Sequence, residues 1–466
     1  MMFLSLRNLR GRAWPRKPHA FISPCPTRPS RVSLRRPYSS QPERMPDMDI
    51  KYGMVEDVES PYYYCPGGYH PVNITDCLAG RYHIVHKLGH GTFSTVWLAH
   101  DSNTSRYVAV KVGTADAEKT EVDALLHIQR GISASSRDSE KLSLISTALD
   151  HFTIQGPNGT HPCIVTTPAR CGLRDTKQET NFGLFQLEVG RSLAAQLALA
   201  VSLVHSQGYA HGDLHLGNVL LEHPYPLDNL SVSQLYATIG EPEPEHITRE
   251  DGKPIPLGSV PPHLVLPCWH FGIPCEKLGL AEAKLSLSDF GVAFRPSDKS
   301  RFESFTPWVL RSPEAYFEPT TPLSFGSDIW SLGCIIFECI AVRSLINGDW
   351  FASQDRITAQ QIYLQGPPPF EWQDKFEKRD KWFDEAWNPS REEYVYSWDK
   401  RFEVSVQDPR REEGMEPLDA EEMAALQQLL RWMLAWRPED RPTAEQVLKT
   451  KWMRRWALPA YEKSRT

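Results

Sequence analysis

The sequence predicts an α+β chain, strands early and helices late, on three observations. Leu88-Gly-His-Gly-Thr-Phe-Ser-Thr-Val96 sets two glycines one residue apart, as a tight turn between two strands would need, and Val108-Ala-Val-Lys111 alternates like a strand. Residues 118–128 carry apolar side chains at 122, 125, 126 and 128, one face of a helix. Far downstream, Asp328-Ile-Trp-Ser-Leu-Gly-Cys-Ile-Ile-Phe337 opens an apolar helix. At 466 residues the chain exceeds one ordinary domain, and two lobes plus extensions account for it.

Taken in order, these elements carry a consistent chemistry. Gly89 and Gly91 allow backbone N–H groups to approach phosphate oxygens where a Cβ would intrude. Lys111 is a point charge at a strand end, suited to the α/β-phosphates of a nucleoside triphosphate. Ten residues later, Glu121 is the candidate ion-pair partner of Lys111, with Glu118 as competitor. His211-Gly-Asp-Leu-His-Leu-Gly-Asn218 sets the carboxylate of Asp213 five residues before the amide of Asn218. A strand-like run, Leu285-Ser-Leu-Ser288, leads into Asp289-Phe-Gly291. Magnesium favours one or two such oxygen ligands plus phosphate and water, so Asn218 and Asp289 suffice to hold it. Ser312-Pro-Glu314 follows, Glu314 standing 25 residues after Asp289, and Arg441-Pro-Thr443 lies near the C-terminus.

These motifs, in this order, resemble a eukaryotic protein kinase from about residue 62 to 456. Tyr64-Cys-Pro-Gly-Gly-Tyr-His-Pro-Val72, Gly80-Arg-Tyr-His-Ile-Val-His-Lys-Leu-Gly89 and Phe93-Ser-Thr-Val-Trp-Leu-Ala99 narrow the resemblance to the SR-protein kinases, fungal type. That resemblance implies a two-lobed fold, with a small, mainly antiparallel-β N-lobe holding helix C and a larger, mainly α-helical C-lobe. The division it implies is an N-terminal extension over 1–60, an N-lobe over 61–170, a C-lobe over 171–456 with a spacer insertion at 223–283, and a tail over 457–466. It implies an ATP-dependent serine/threonine kinase acting on arginine/serine-rich proteins such as splicing factors. Asp213 is then the catalytic base and His215 its neighbour, standing where kinases carry a lysine that contacts the transferred phosphate. Asn218 and Asp289 hold Mg2+. ATP lies against Leu88, Gly89, His90, Gly91, Thr92, Phe93, Ser94, Thr95, Val96, Ala109, Lys111, Glu121 and Thr166. Thr166 sits where the pocket behind adenine is gated, while Pro168 removes one backbone donor from the hinge. Asp328 braces the catalytic loop and Arg441 pairs with Glu314. The spacer, proline-rich and acidic, is a flexible regulatory element by resemblance or a disordered loop by composition. Gly212 replaces the arginine that normally meets a phosphate on the activation segment, so activity without that phosphorylation is expected.

Composition bounds the remainder. Residues 1–46 carry ten Lys/Arg against Glu43, hence +9, and with −7 overall the rest is −16. An acidic body suits basic protein substrates. A monomer is expected, with no direct nucleic-acid partner and no apolar run near the ~20 residues that span a bilayer. The cysteines show no zinc spacing, and Cys163, Cys334 and Cys339 sit in apolar surroundings. Five tryptophans, at 350, 372, 382, 387 and 398, read as C-lobe packing. The basic first 45 residues, with Arg35-Arg-Pro-Tyr-Ser-Ser40, resemble a mitochondrial transit peptide. A basic tail, or a start at Met45 or Met48, are the alternatives, and the family itself works in cytoplasm and nucleus. Two other functions share these motifs. His-Gly-Asp-Leu-His-x-Gly-Asn resembles small-molecule phosphotransferases, and Gly212, His215 and Pro168 are departures that a pseudokinase scaffold would also carry.

Overall fold

The computed structural model describes residues 50–465, apart from 54, 118–119, 136–138, 181, 256–257, 269–270, 349–352 and 391–396. The basic N-terminal segment, Glu118 and Trp350 lie outside the described residues.

The first lobe is a six-stranded antiparallel sheet in the order β1-β2-β3-β4-β6-β5. Its strands are β1 (Cys77–Leu78), β2 (Tyr82–Gly91), β3 (Ser94–Asp101), β4 (Arg106–Gly113), β5 (Ala148–Gly156) and β6 (Gly159–Thr166). Val108, Val110 and Val112 bury themselves with Ile84, Trp97, Cys163 and Val165 on one face of the sheet, opposite to the one that Ala109 and Lys111 occupy. The glycine-rich turn is the hairpin between β2 and β3, with Gly91 opposite Ser94 and a register shift between Lys87 and Gly89. The helix Thr120–Ser135 crosses the sheet. It buries Ala124, Leu125, Ile128 and Ile132, while Val122 is only partly covered.

The second lobe is helical around one large core. Helix Leu187–Ser206 runs through its middle, against helices Phe325–Ile340 and Leu458–Ser464. This corrects one expectation: Leu187–Ser206 is by length and composition apolar enough to span a bilayer. It is a core helix of this lobe, and most of its length is buried. A small sheet of β7 (Cys171–Gly172), β8 (Val219–Leu221) and β11 (Leu285–Leu287), ordered β11-β8-β7, underlies the cleft. Cys163, Cys334 and Cys339 are buried, as are Trp372 and Trp398, the former stacked on Phe317.

The insertion between β8 and β11 departs from expectation. Instead of a loose loop, it folds against the first lobe. Helix Val232–Ile239, with a Ser231/Gln234 capping box, packs Leu235 and Ile239 on Val85, Leu98 and Tyr107 of β2, β3 and β4. Strands β9 (Pro244–His246) and β10 (His263–Val265) form a hairpin, next to which Ile247, Val260 and Leu264 cluster with Tyr64 and Tyr69. Backbone bonds complete the attachment, Gly53 N–H to Thr248 O at 2.7 Å and Cys268 N–H to Lys87 O at 2.9 Å.

Candidate active site

The site is built where the turn, helix Thr120–Ser135 and the two motif loops converge. Register pairing sets Lys111 opposite Val96 on one side and Ile164 on the other, and sets Ala109 opposite Thr166. Lys111 Nζ donates to Glu121 Oε1 and Oε2 at 2.7 and 2.9 Å, and to Asp289 Oδ1 at 2.7 Å. Glu121 is therefore the helix carboxylate that Lys111 reaches. Burial pushes the Lys111 ammonium down, but the two carboxylates outweigh it and hold the pKa above its ordinary value. Burial raises the Asp289 carboxyl, Lys111 opposes this more strongly, and the group is pulled down to about 2. Burial raises Glu121, with Lys111 offsetting only part of it.

The backbone at Asp289 is left-handed, φ 63°, which a non-glycine residue adopts only under constraint from its surroundings. The constraint comes from the β8–β11 ladder. Ser288 donates to Asn218 O through N–H and Oγ, at 2.8 and 3.0 Å. This brings Asn218 and Asp289 into adjacent positions although 71 residues separate them in sequence.

The catalytic-loop segment is held from below. Asp328, buried at the start of helix Phe325–Ile340, accepts from His211 N–H at 2.6 Å, Gly212 N–H at 2.9 Å and His205 Nε2 at 2.9 Å. Burial alone would raise its pKa, but the His205 hydrogen bond and neighbouring positive potential leave it below the ordinary carboxylate range. Asn218 Nδ2 donates to Asp213 O at 2.9 Å, which turns its oxygen, the atom able to ligate a cation, away from that carbonyl. Asp213 Oδ2 lies 3.5 Å from His215 Nε2. Asp213 Oδ1 is buried with no hydrogen-bond partner among the described residues. Such an orphaned acceptor is costly unless a ligand donor meets it.

The turn offers backbone, not side chains, to the cleft. A Cβ on Gly89 or Gly91 would meet no protein atom within 4 Å, so the chain itself leaves that side bare. Ser94 and Thr95 are buried, with the Thr95 hydroxyl accepting from Trp97 Nε1, so only their main chain faces outward. His90, Thr92 and Phe93 are exposed at the tip, and Leu88 packs partly on the helix of the insertion. Tyr69, in the N-terminal stretch, donates its hydroxyl to Gly91 O at 2.7 Å and Thr92 O at 3.2 Å. Beneath the turn, Lys87 pairs with Glu59, both buried, and Tyr64 donates to the same carboxylate. No chemical role for Tyr69 or Glu59 was legible in the sequence. Tyr64 and Tyr69 belonged to a recognisable motif, but nothing local marked what they would touch.

Oxygen donors on Asn218 and Asp289, beside an ionised Lys111 and bare turn backbone, fit a magnesium-bound triphosphate. Among the described residues no three or more His, Cys, Asp or Glu side chains gather into a metal site. Glu314 of the Ser312-Pro-Glu motif meets Arg441 Nη1 and Nη2 at 2.9 and 2.7 Å, fully buried.

The protein kinase domain profile matches residues 82–228 and 278–453. The gap between the two matched blocks coincides with most of the insertion. A serine/threonine protein kinase of Aspergillus fumigatus is 27% identical over 397 residues, covering 83% of this chain and 88% of that protein. The serine/threonine-protein kinase SRPK of Physarum polycephalum is 28% identical over 398 residues, 84% of this chain and 90% of its own length. SRSF protein kinase 3 of Homo sapiens is 36% identical over 169 residues, 36% of this chain and 30% of its own. With these matches laid over the assembled cleft, the chain belongs to the protein kinase family, as a serine/threonine kinase related to the SRPK group.

Proposed function

We propose that this kinase transfers the γ-phosphoryl group of ATP to serine in arginine/serine-rich proteins, and does so without phosphorylation of its own activation segment. The observation that carries the reading is the simultaneous engagement of Lys111 with Glu121 and Asp289, together with an activation segment tied by its own side chains to the catalytic loop and to helix Thr120–Ser135. Thr306 Oγ1 donates to Gly212 O at 3.1 Å. Arg295 reaches His127 of helix Thr120–Ser135 at 3.2 Å and lies 4.7 Å over the Tyr209 ring. We assign to these contacts the role that a phosphate and its arginine play elsewhere, which fits Gly212 standing in the arginine's place.

In the reaction, Asp213 Oδ1 accepts the substrate hydroxyl proton, and the lack of a donor to it among the described residues leaves it open for that bond. Lys111 and the turn's backbone hold the triphosphate in line. Asn218 and Asp289 would hold magnesium, whose contribution when bound is charge neutralisation on the phosphate oxygens. The intact alignment of these four side chains argues against a purely scaffolding role. The acidic body, −16 over residues 47–466, and the SRPK relatives favour a basic substrate.

An in vitro assay decides between substrates. Phosphoryl transfer to an Arg-Ser repeat peptide should exceed transfer to a generic basic peptide of equal charge, and prior phosphatase treatment should leave the rate unchanged. Equal use of both peptides removes the substrate assignment. Activity abolished by phosphatase removes the constitutive one.

A further inference from the structure

His215 stands where the resemblance expects a lysine, so a fixed positive charge beside the transferred phosphate has been lost from that position. The structure returns one from another element. Arg174, exposed on the short helix Leu173–Gln178, directs Nη2 to His215 Nδ1 at 3.0 Å. The backbone N–H of Gly217 also donates to His215 Nδ1, at 3.0 Å. A guanidinium and a peptide N–H can only donate. Two donors on one nitrogen require that Nδ1 carry the lone pair, and the ring proton therefore sits on Nε2. Nε2 is the nitrogen 3.5 Å from Asp213 Oδ2.

The fit around this pair is close. A Cβ on residue 217 would stand 2.9 Å from His215 Cε1, 3.0 Å from Nδ1 and 3.2 Å from Arg174 Cζ, so a glycine is needed there. From helix Phe325–Ile340, the buried Glu338 faces both Arg174 and His215. Lys177, on the same helix as Arg174, donates to Glu338 O at 2.7 Å and Ala341 O at 2.6 Å. Arg174 is the cation in direct contact with the imidazole.

We propose that Arg174 is a positioning residue for phosphoryl transfer. It fixes His215 as the Nε2–H tautomer aimed at Asp213, and polarises that ring so that the pair replaces the missing lysine. The proposal rests on Asp213 being the base.

Two measurements test it on the full chain. In steady-state transfer from ATP to an Arg-Ser repeat peptide, Arg174→Gln should lower kcat by about tenfold with the KM for ATP changed by less than about twofold. In a His215→Lys background, where the charge is restored at its source, the same change should cost less than about twofold, and Arg174→Lys should recover part of the parental rate. Equal losses in both backgrounds would mean that Arg174 merely supports the fold, and no loss in either would leave it without a role. Independently, histidine 15N NMR should show His215 protonated at Nε2 and bare at Nδ1 in the parent, with a mixed state in Arg174→Gln. A proton on Nδ1 in the parent overturns the proposal. A parent that phosphorylates no peptide sinks the functional assignment instead, and the NMR still decides the Arg174–His215 arrangement.

Discussion

Lys111 and Asp213 make opposite demands on their surroundings, and their substitutions should separate. Lys111 is a cation placed between two carboxylates that would otherwise repel each other. Asp213 Oδ1 has no hydrogen-bond partner among the described residues to lose. Replacing Asp213 with asparagine should therefore cut kcat by about 10²–10⁴, the range ascribed to a positioned base, while leaving the melting temperature nearly unchanged. Lys111→Met should abolish transfer and also lower the melting temperature, because Glu121 and Asp289 are left facing each other. Single-turnover transfer with parallel calorimetric melts reads both. An Asp213→Asn protein that keeps parental kcat refutes the base. At Gly212 the backbone has φ +81°, and a Cβ would come 3.0 Å from Val292 O. The residue is thus constrained by conformation as well as by the absence of an arginine, a point invisible to motif reading.

Among the elements, those with local periodicity or fixed motif spacing were legible, and those stabilised only by distant partners were not. The helix expected over 118–128 extends through Thr120–Ser135, and the apolar run from Asp328 lies within Phe325–Ile340. The insertion was misread because its proline-rich, acidic composition masks one short helical face, Leu235 and Ile239, and because the surfaces that Leu227, Leu235, Ile239, Val260 and Leu264 cover include N-lobe residues more than a hundred positions away. At its start the His223 ring stands edge-on to Phe271, centroids 4.5 Å apart, with Nε2 buried and without a hydrogen-bond partner among the described residues. Burial lowers the pKa of His223 to about 4, and that of His70, beside His161, likewise to about 4. The unfolded chain binds these protons near pH 6.5, but the folded chain does so only near 4. Stability is therefore greatest above 6.5 and falls as pH drops through that window. Thermal melts at pH 7.5 and 5.0 should show a lower melting temperature at the acid end, and His223→Gln should remove part of the difference. An unchanged pH dependence in that variant would locate the effect elsewhere.

For the molecule as a whole, the insertion is a second connection between the lobes, alongside the hinge at 167–170. The chain leaves the C-lobe at β8, crosses the N-lobe sheet from Leu227 to Cys268, and returns to β11. Burying a leucine-sized side chain stabilises by roughly 1.5–3 kcal/mol, so Leu227, Leu235, Ile239 and Phe271 together favour the docked state by several kcal/mol, as an upper bound. The docked face includes Val85, Leu98 and Leu88, the strands that carry the glycine-rich turn. Their order therefore depends on the strap as well as on the sheet. Leu235→Ala, at a position with no exposed surface, should cost about 2–5 kcal/mol locally. It should raise amide exchange in β2 and β3 and weaken ATP binding, while Arg441–Glu314 and the C-lobe core keep their protection. Replacing residues 227–268 with a Gly/Ser linker should produce the same pattern more strongly. A free loop predicts the contrary result, because removing it would change neither nucleotide affinity nor exchange in the N-lobe. Hydrogen-exchange mass spectrometry with ATP titration distinguishes the two, and unaltered β2–β3 protection in both variants would return the insertion to the status of a passive linker.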